Sequence, residues 1–234
     1  MKSRNDLPYL SAMISRRSIL SGAAGLALAM GVGPFALVAE AEASVKPSFF
    51  RSTEKRSSNL KPFKKWNAAL QRFAKETAMT RPGNCDAKQL NVCHYNKLEK
   101  LVGALKGKDP LSQLKTVNAQ LNKAKYVTDQ NNWGQKDYWA TPAEFMSRFG
   151  DCEDYAIAKY VTLKMLGWEE QSLRVVAVKD LNLKVGHAVL VAFHGGKVYV
   201  LDNQIKQVVE AGRIRHYQPV FSINQKFWWR HAAG

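Results

Sequence analysis

Residues 148–160, RFGDCEDYAIAKY, set Cys152 among three carboxylates, Asp151, Glu153 and Asp154, at the start of a predicted helix. A catalytic cysteine needs a thiolate, a base that takes and returns a proton, and a group that orients the base. The chain supplies both partners in order: His187 at the start of one β-rich run and Asp202 near the end of the next. Gly195-Gly196 joins those runs as a hairpin. The two arms are nearly matched in length, so antiparallel pairing brings His187 and Asp202 to the same end of the hairpin. A Cys152 helix whose N-terminus packs on that end would complete a Cys-His-Asp triad. Taken singly, each residue has a plainer reading: a buried thiol, a structural strand histidine, a turn-forming aspartate. The combination, with the thiol at a helix start, points to nucleophilic catalysis. His194 sits at the turn end of the hairpin, and His94, His216 and His231 have no comparable partner.

The acids around Cys152 pose a problem for that chemistry. A helix N-terminus and a neighbouring imidazolium both lower a thiol pKa. At about 100° per residue, Asp151 and Glu153 each point about 100° away from Cys152, and Asp154 about 160° away. The carboxylates are therefore expected to face elsewhere, but three uncompensated negative charges still oppose thiolate formation through space. A hard cation such as Ca²⁺ would remove the penalty, because clustered oxygen ligands are what it requires. Acids that merely favour a helix N-terminus account for one or two of the three. The residues alone leave both readings open.

Around these residues the chain divides into two periodicities. Helical spacing recurs over residues 63–77, 95–105 and 109–121, the last opening with Asp109 as N-cap and Pro110 in the first turn. Residues 129–140, DQNNWGQKDYWA, read as a loop that echoes a calcium loop at Asp129, Asn131 and Gly134; Ala140 stands where the closing acid belongs, which excludes an EF-hand. Thr141, Pro142 and Glu144 form a capping box for a short helix ending at Gly150, and the Cys152 helix follows to Gly167. The period then changes to two over residues 173–179, 187–194 and 197–203. A helical N-terminal half followed by an antiparallel β-sheet predicts an α+β domain over residues 63–234. Trp228 and Trp229 in the tail are expected to pack.

The N-terminus is set apart. Arg16-Arg17, a mostly apolar stretch over residues 19–38 and AEA ahead of Ser44 follow the plan of an export signal over residues 1–43. The paired arginines make it twin-arginine-like, although an ordinary secretory signal fits the same plan. Its glycines and Pro34 make a poor permanent span, so no stable membrane span is expected once it is removed. Residues 44–62, polar and without period, read as a flexible lead. An exported chain is expected in the periplasm or outside the cell. In an oxidising compartment Cys85 and Cys93 can pair, which leaves Cys152 free. The signal holds four basic and three acidic residues, so its loss lowers the net charge of +16 by one. That balance favours anionic partners, yet scattered lysines read as a solvated face. No zinc-finger spacing or aromatic-Gly signature supports nucleic-acid binding.

DYWATPAEF and GDCEDYAIAKY, followed by LRVVAVKD, GHAVLVA, VYVLDN and PVFSIN, resemble the bacterial transglutaminase-like cysteine peptidases, over residues 63–229. The resemblance implies a papain-like, transglutaminase-like fold whose triad falls on Cys152, His187 and Asp202. It implies calcium beside the nucleophile, held by Asp151 and Glu153 with Asp154. It also implies a protein substrate, a large surface adhesin whose cleavage disperses biofilm, and restraint by the periplasmic domain of a cyclic-di-GMP receptor. The family pattern around the histidine is closer to AHMVL, and Ala188 stands in the methionine's place here. Two other functions fit the same residues: a transglutaminase passing the acyl group to an amine, and a catalytically silent envelope binding module.

Overall fold

In the computed structural model, residues 49–78, 84–86, 88 and 90–233 are described. The export signal expected over residues 1–43 lies outside them. Six helices and seven strands make up the described chain: β1 (Ser52–Ser57), α1 (Lys64–Glu76), α2 (Val92–Leu105), α3 (Pro110–Leu121), α4 (Asp129–Trp133), α5 (Pro142–Arg148), α6 (Cys152–Met165), β2 (Leu173–Asp180), β3 (Val185–His194), β4 (Lys197–Leu201), β5 (Val209–Glu210), β6 (Tyr217–Ile223) and β7 (Trp228–Ala233). The strands form one antiparallel sheet in the order β1-β7-β6-β2-β3-β4-β5. Helices first and antiparallel sheet second make this the expected α+β fold.

Strand β3 shows why the sheet holds together. Successive side chains point to opposite faces. Ala188, Leu190 and Ala192 join the core shared with the helices, while Val189, Val191 and Phe193 join a second core on the other face. A strand buried on both sides has to be apolar throughout, as residues 188–193 are. Helix α6 lies against β2 and β3 and is wedged between them and α3 and α5. Every residue from Asp154 through Leu163 is buried, which explains why this helix lacks an apolar stripe.

Residues 44–48 lie outside the described residues; at residues 49–57 the second core corrects the flexible lead expected over residues 44–62. Phe49 and Phe50 are buried there, and β1 pairs with β7 from Ser52 opposite Ala233 to Ser57 opposite Trp228. Phe50 and Arg51 both take positive φ in the turn that turns the two rings inward. That conformation costs about 1–2 kcal/mol per residue, which burial of two phenylalanines at about 1.5–3 kcal/mol each offsets. The strand STEKRS has no apolar alternation because it is an edge, exposed along most of its length. The two-residue strand β5, strand β6 and tail strand β7 were also absent from the sequence reading. Cys85 and Cys93 form a disulfide with Cα atoms 5.2 Å apart, and Cys152 is the free cysteine.

Candidate active site

Cys152 is the first residue of α6, partly exposed at its N-terminus. The turn before it is held by Asp154. Its Oδ1 accepts the Ala140 N–H at 2.7 Å and its Oδ2 the Asp151 N–H at 3.3 Å. A Cβ on Gly150 would collide with that carboxylate, so glycine is required for the close approach. Asp154 is fully buried, and burial, with Asp151 and Glu153 nearby, pushes its pKa up to about 9.

The β-hairpin places the other two residues as its pairing predicts. Gly195 and Gly196 both take positive φ, as a two-residue hairpin turn requires. At the far end, His187 Nε2 lies 2.9 Å from Asp202 Oδ1, with both side chains buried. An ionised carboxylate only accepts, so the ring donates from Nε2 and Nδ1 keeps its lone pair. Gln204 Nε2 lies 3.4 Å from Nδ1. Asp202 Oδ1 also accepts the Gln204 N–H at 2.8 Å, Oδ2 accepts the Tyr217 hydroxyl at 2.6 Å, and Asn122 Nδ2 donates to the Asp202 carbonyl at 2.7 Å. Burial works to raise the Asp202 pKa, but the hydrogen bonds from His187, Tyr217 and Gln204 outweigh it and hold the carboxyl below its ordinary value.

Cys152 is joined to this pair through the backbone. It packs in the core that contains Ala188, and the Ala188 N–H is the neighbour that favours its thiolate. Its hydrogen-bond partner, however, is not His187. The thiol donates to Glu153 Oε2 at 3.1 Å, which corrects the expectation that the carboxylates face elsewhere. Helical angle fixes only where a Cβ points, and the flexible glutamate turns back along its own helix end. Burial, then Glu153 and Asp151, push the thiol pKa well up. Without a cation, the site therefore favours the protonated thiol, donated to Glu153.

Among the described residues, one group of acids converges: Asp129, Asp151 and Glu153 bring ligand oxygens within 4.8 Å of one another. Asp151 and Glu153 were expected in such a group; Asp154 lies outside it, both oxygens on backbone N–H groups. Asp129 was missed. It opens the DQNNWG segment read as a loop, but residues 129–133 form helix α4, and a parallel bridge between Tyr126 and Gly150 sets that helix beside Asp151. The Asp129 N–H points at Asp151 Oδ2, 3.4 Å away, and its Oδ2 accepts the Tyr138 N–H. Asp129 Oδ1 and Asp151 Oδ1 are buried without a hydrogen-bond partner. Burial first, then neighbouring acids, raise the pKa of Asp129 to about 6 and of Asp151 to about 7. Converging carboxylates that leave two oxygens without a donor suit a hard cation.

Comparison with known proteins gives the family. The family profile of bacterial transglutaminase-like cysteine proteinases matches residues 79–229. Calcium-bound LapG of Legionella pneumophila is 28% identical, with a TM-score of 0.56, over 70% of this chain and 86% of that one. EGTA-treated LapG of the same organism is likewise 28% identical at a TM-score of 0.56, over 69% and 84%. No curated protein matches the chain. A profile spanning more than half of the sequence identifies this chain as a member of the bacterial transglutaminase-like cysteine proteinases, and hence as a cysteine peptidase.

Proposed function

We propose that this peptidase is an exported, calcium-dependent endopeptidase in which Cys152 is the nucleophile, His187 the general base and acid, and Asp202 the group that orients the imidazole. The observation that carries the reading is the buried His187–Asp202 bond of 2.9 Å at the hairpin end beside the free thiol of α6. With Nε2 committed to Asp202, Nδ1 is the nitrogen that exchanges protons. His187 takes the thiol proton there as sulfur attacks the scissile carbonyl carbon, and gives it to the departing amine as the C–N bond breaks. It then takes a proton from the water that hydrolyses the thioester and returns it to sulfur. Backbone N–H groups in the first turn of α6 have no intrahelical acceptor and suit the oxyanion.

The acid cluster fits calcium through its three converging carboxylates and two orphaned oxygens. LapG, solved both calcium-bound and EGTA-treated, supports that choice of ion. Asp129, Asp151 and Glu153 would hold it. Calcium supplies there the positive charge that offsets the acids opposing thiolate formation.

The signal-like N-terminus supports export to the periplasm or beyond, and among the described residues no helix is long and apolar enough to cross a membrane. A peptidase acts on a protein; we place the substrate among large surface adhesins, with biofilm release as the outcome and the periplasmic domain of a cyclic-di-GMP receptor as the restraint. Both assignments rest on the family resemblance. The test maps protein N-termini in the envelope and medium of the source bacterium against a Cys152→Ala strain, with calcium present and chelated. New N-termini that require both Cys152 and calcium are expected. Identical maps in every condition would overturn the reading, and products carrying an added amine instead of water would make the chain a transferase.

A further inference from the structure

The Asp202 carboxylate is held on both sides, and only one side belongs to the triad. Oδ1 receives His187 Nε2 and the Gln204 N–H; Oδ2 receives the Tyr217 hydroxyl at 2.6 Å. Tyr217 opens β6, which is separated from β4 by two strands in the sheet, and its ring is buried 5.6 Å from the His187 ring. A phenol that far along the sheet is not needed to shape the hairpin. Without it, Oδ2 would be a buried, charged acceptor with no donor, and the carboxylate plane would be freer to turn out of line with His187 Nε2.

We propose that Tyr217 is a positioning residue of the reaction: its O–H fixes the plane of the Asp202 carboxylate and favours its ionised form, so that an oxygen stays aimed at His187 Nε2 and Nδ1 remains the proton-accepting nitrogen. The inference rests on the triad reading above. Tyr217 touches no reacting atom and acts only through Asp202. Its own ring is fixed from the N-terminal side, where Phe50 meets it edge-on with centroids 5.8 Å apart, and from His216 at 4.5 Å. The turn at Phe50 and Arg51 therefore buttresses the acid of the triad, which gives the segment before β1 a part in the site.

The test compares Tyr217→Phe, Asp202→Asn, the double variant and Cys152→Ala in the full chain with excess calcium. Kinetics use a peptide spanning a cleavage site found by N-terminus mapping, and the His187 ring is followed by NMR of ¹⁵N-histidine-labelled protein. Phenylalanine keeps the ring contacts with Phe50 and His216, and the NMR spectrum reports whether each variant is folded. The expected result is a fall in kcat of about ten- to thirtyfold for Tyr217→Phe with KM unchanged, the range set by leaving one buried acceptor unpaired. The His187 Nε2–H resonance should shift as well. In the Asp202→Asn background the same substitution should cost no more than about twofold, because its target is already altered. A Tyr217→Phe enzyme with unchanged kcat and His187 resonance would overturn the proposal while leaving the triad in place. A full additional loss in the Asp202→Asn background would also overturn it, since packing and not Asp202 would then carry the effect. Cleavage that survives Cys152→Ala would remove the triad reading and this proposal with it.

Discussion

The two halves of the candidate site are built on opposite terms. On the sheet, both oxygens of Asp202 are engaged and the carboxyl is held ionised, with His187 fixed in one tautomer. At the helix end, Asp129 and Asp151 each leave an oxygen without a donor, their pKa values are raised, and the thiol is given to Glu153. The first half is finished by the chain itself; the second is arranged to be finished by something positive. On the proposed reading, base and orienting acid are set before calcium binds, and the nucleophile is the part left to be released.

The halves should respond to different insults. The largest effect is expected at the finished half: Asp202→Ala should lower kcat by about 10³–10⁴, because the imidazole loses the acceptor that holds its tautomer, while calcium affinity measured by titration calorimetry stays unchanged. A comparable fall in calcium affinity would mean that the halves are not separate. Next, Asp129→Asn should weaken calcium binding about ten- to hundredfold, with kcat recovered at saturating calcium. Failure to recover would give Asp129 a part in the chemistry beyond holding the ion.

A smaller effect isolates the contact between thiol and acid. In calcium-free protein, Glu153→Gln removes the charge that most opposes the Cys152 thiolate after burial itself. Alkylation of Cys152 by iodoacetamide at fixed pH should then speed up about three- to tenfold. The same variant should respond less to calcium, having lost a ligand. An unchanged alkylation rate would show that burial alone holds the proton, and that the acid cluster is not what distinguishes the nucleophile's half.

How far the site could be read in advance follows the same division. The hairpin was legible because Gly195-Gly196 and the period of two fix register locally, and register sets His187 against Asp202. The capping box at Thr141 and Glu144 and the start of α6 were legible for the same reason: caps are spelled within four residues. Asp129 was not, because its place beside Asp151 depends on a bridge between Tyr126 and Gly150 that leaves no pattern in the chain. The turn-back of Glu153 was hidden because angle along a helix does not fix a flexible three-carbon side chain. Tyr217 lies on a strand separated from β4 by two others, and β1 is a polar edge whose partner is at the other end of the chain. Features encoded by neighbours were visible, and those encoded by distant pairing were not.

The smallest effect concerns stability, and its sign follows from the raised acids. In the folded, metal-free protein the pKa of Asp129 rises from 3.8 to about 6, of Asp151 from 3.8 to about 7, and of Asp154 from 3.8 to about 9, burial being the main cause each time. A carboxyl with a raised folded pKa binds its proton more tightly in the native state than in the unfolded chain. Its contribution to stability is complete below the unfolded pKa, near 4, and is lost as pH rises through the folded value. Calcium-free protein should therefore melt several degrees lower at pH 8 than at pH 5, the window in which Asp129 and Asp151 give up their protons and Asp154 begins to; buried Glu76, raised to about 7, adds to the fall, and His231, lowered to about 4 by burial, opposes it. Calcium should shrink the difference, because the ion binds the ionised carboxylates of the native state and so favours it. Asp202, with its lowered pKa, works in the opposite direction and only below pH 4, so the finished half contributes nothing in this window. Differential scanning calorimetry at pH 5, 6.5 and 8, with EGTA and with calcium, measures the contrast directly. A metal-free melting temperature that stays flat or rises from pH 5 to 8 would mean that the helix-end acids are compensated within the chain, and the difference between the two halves would disappear.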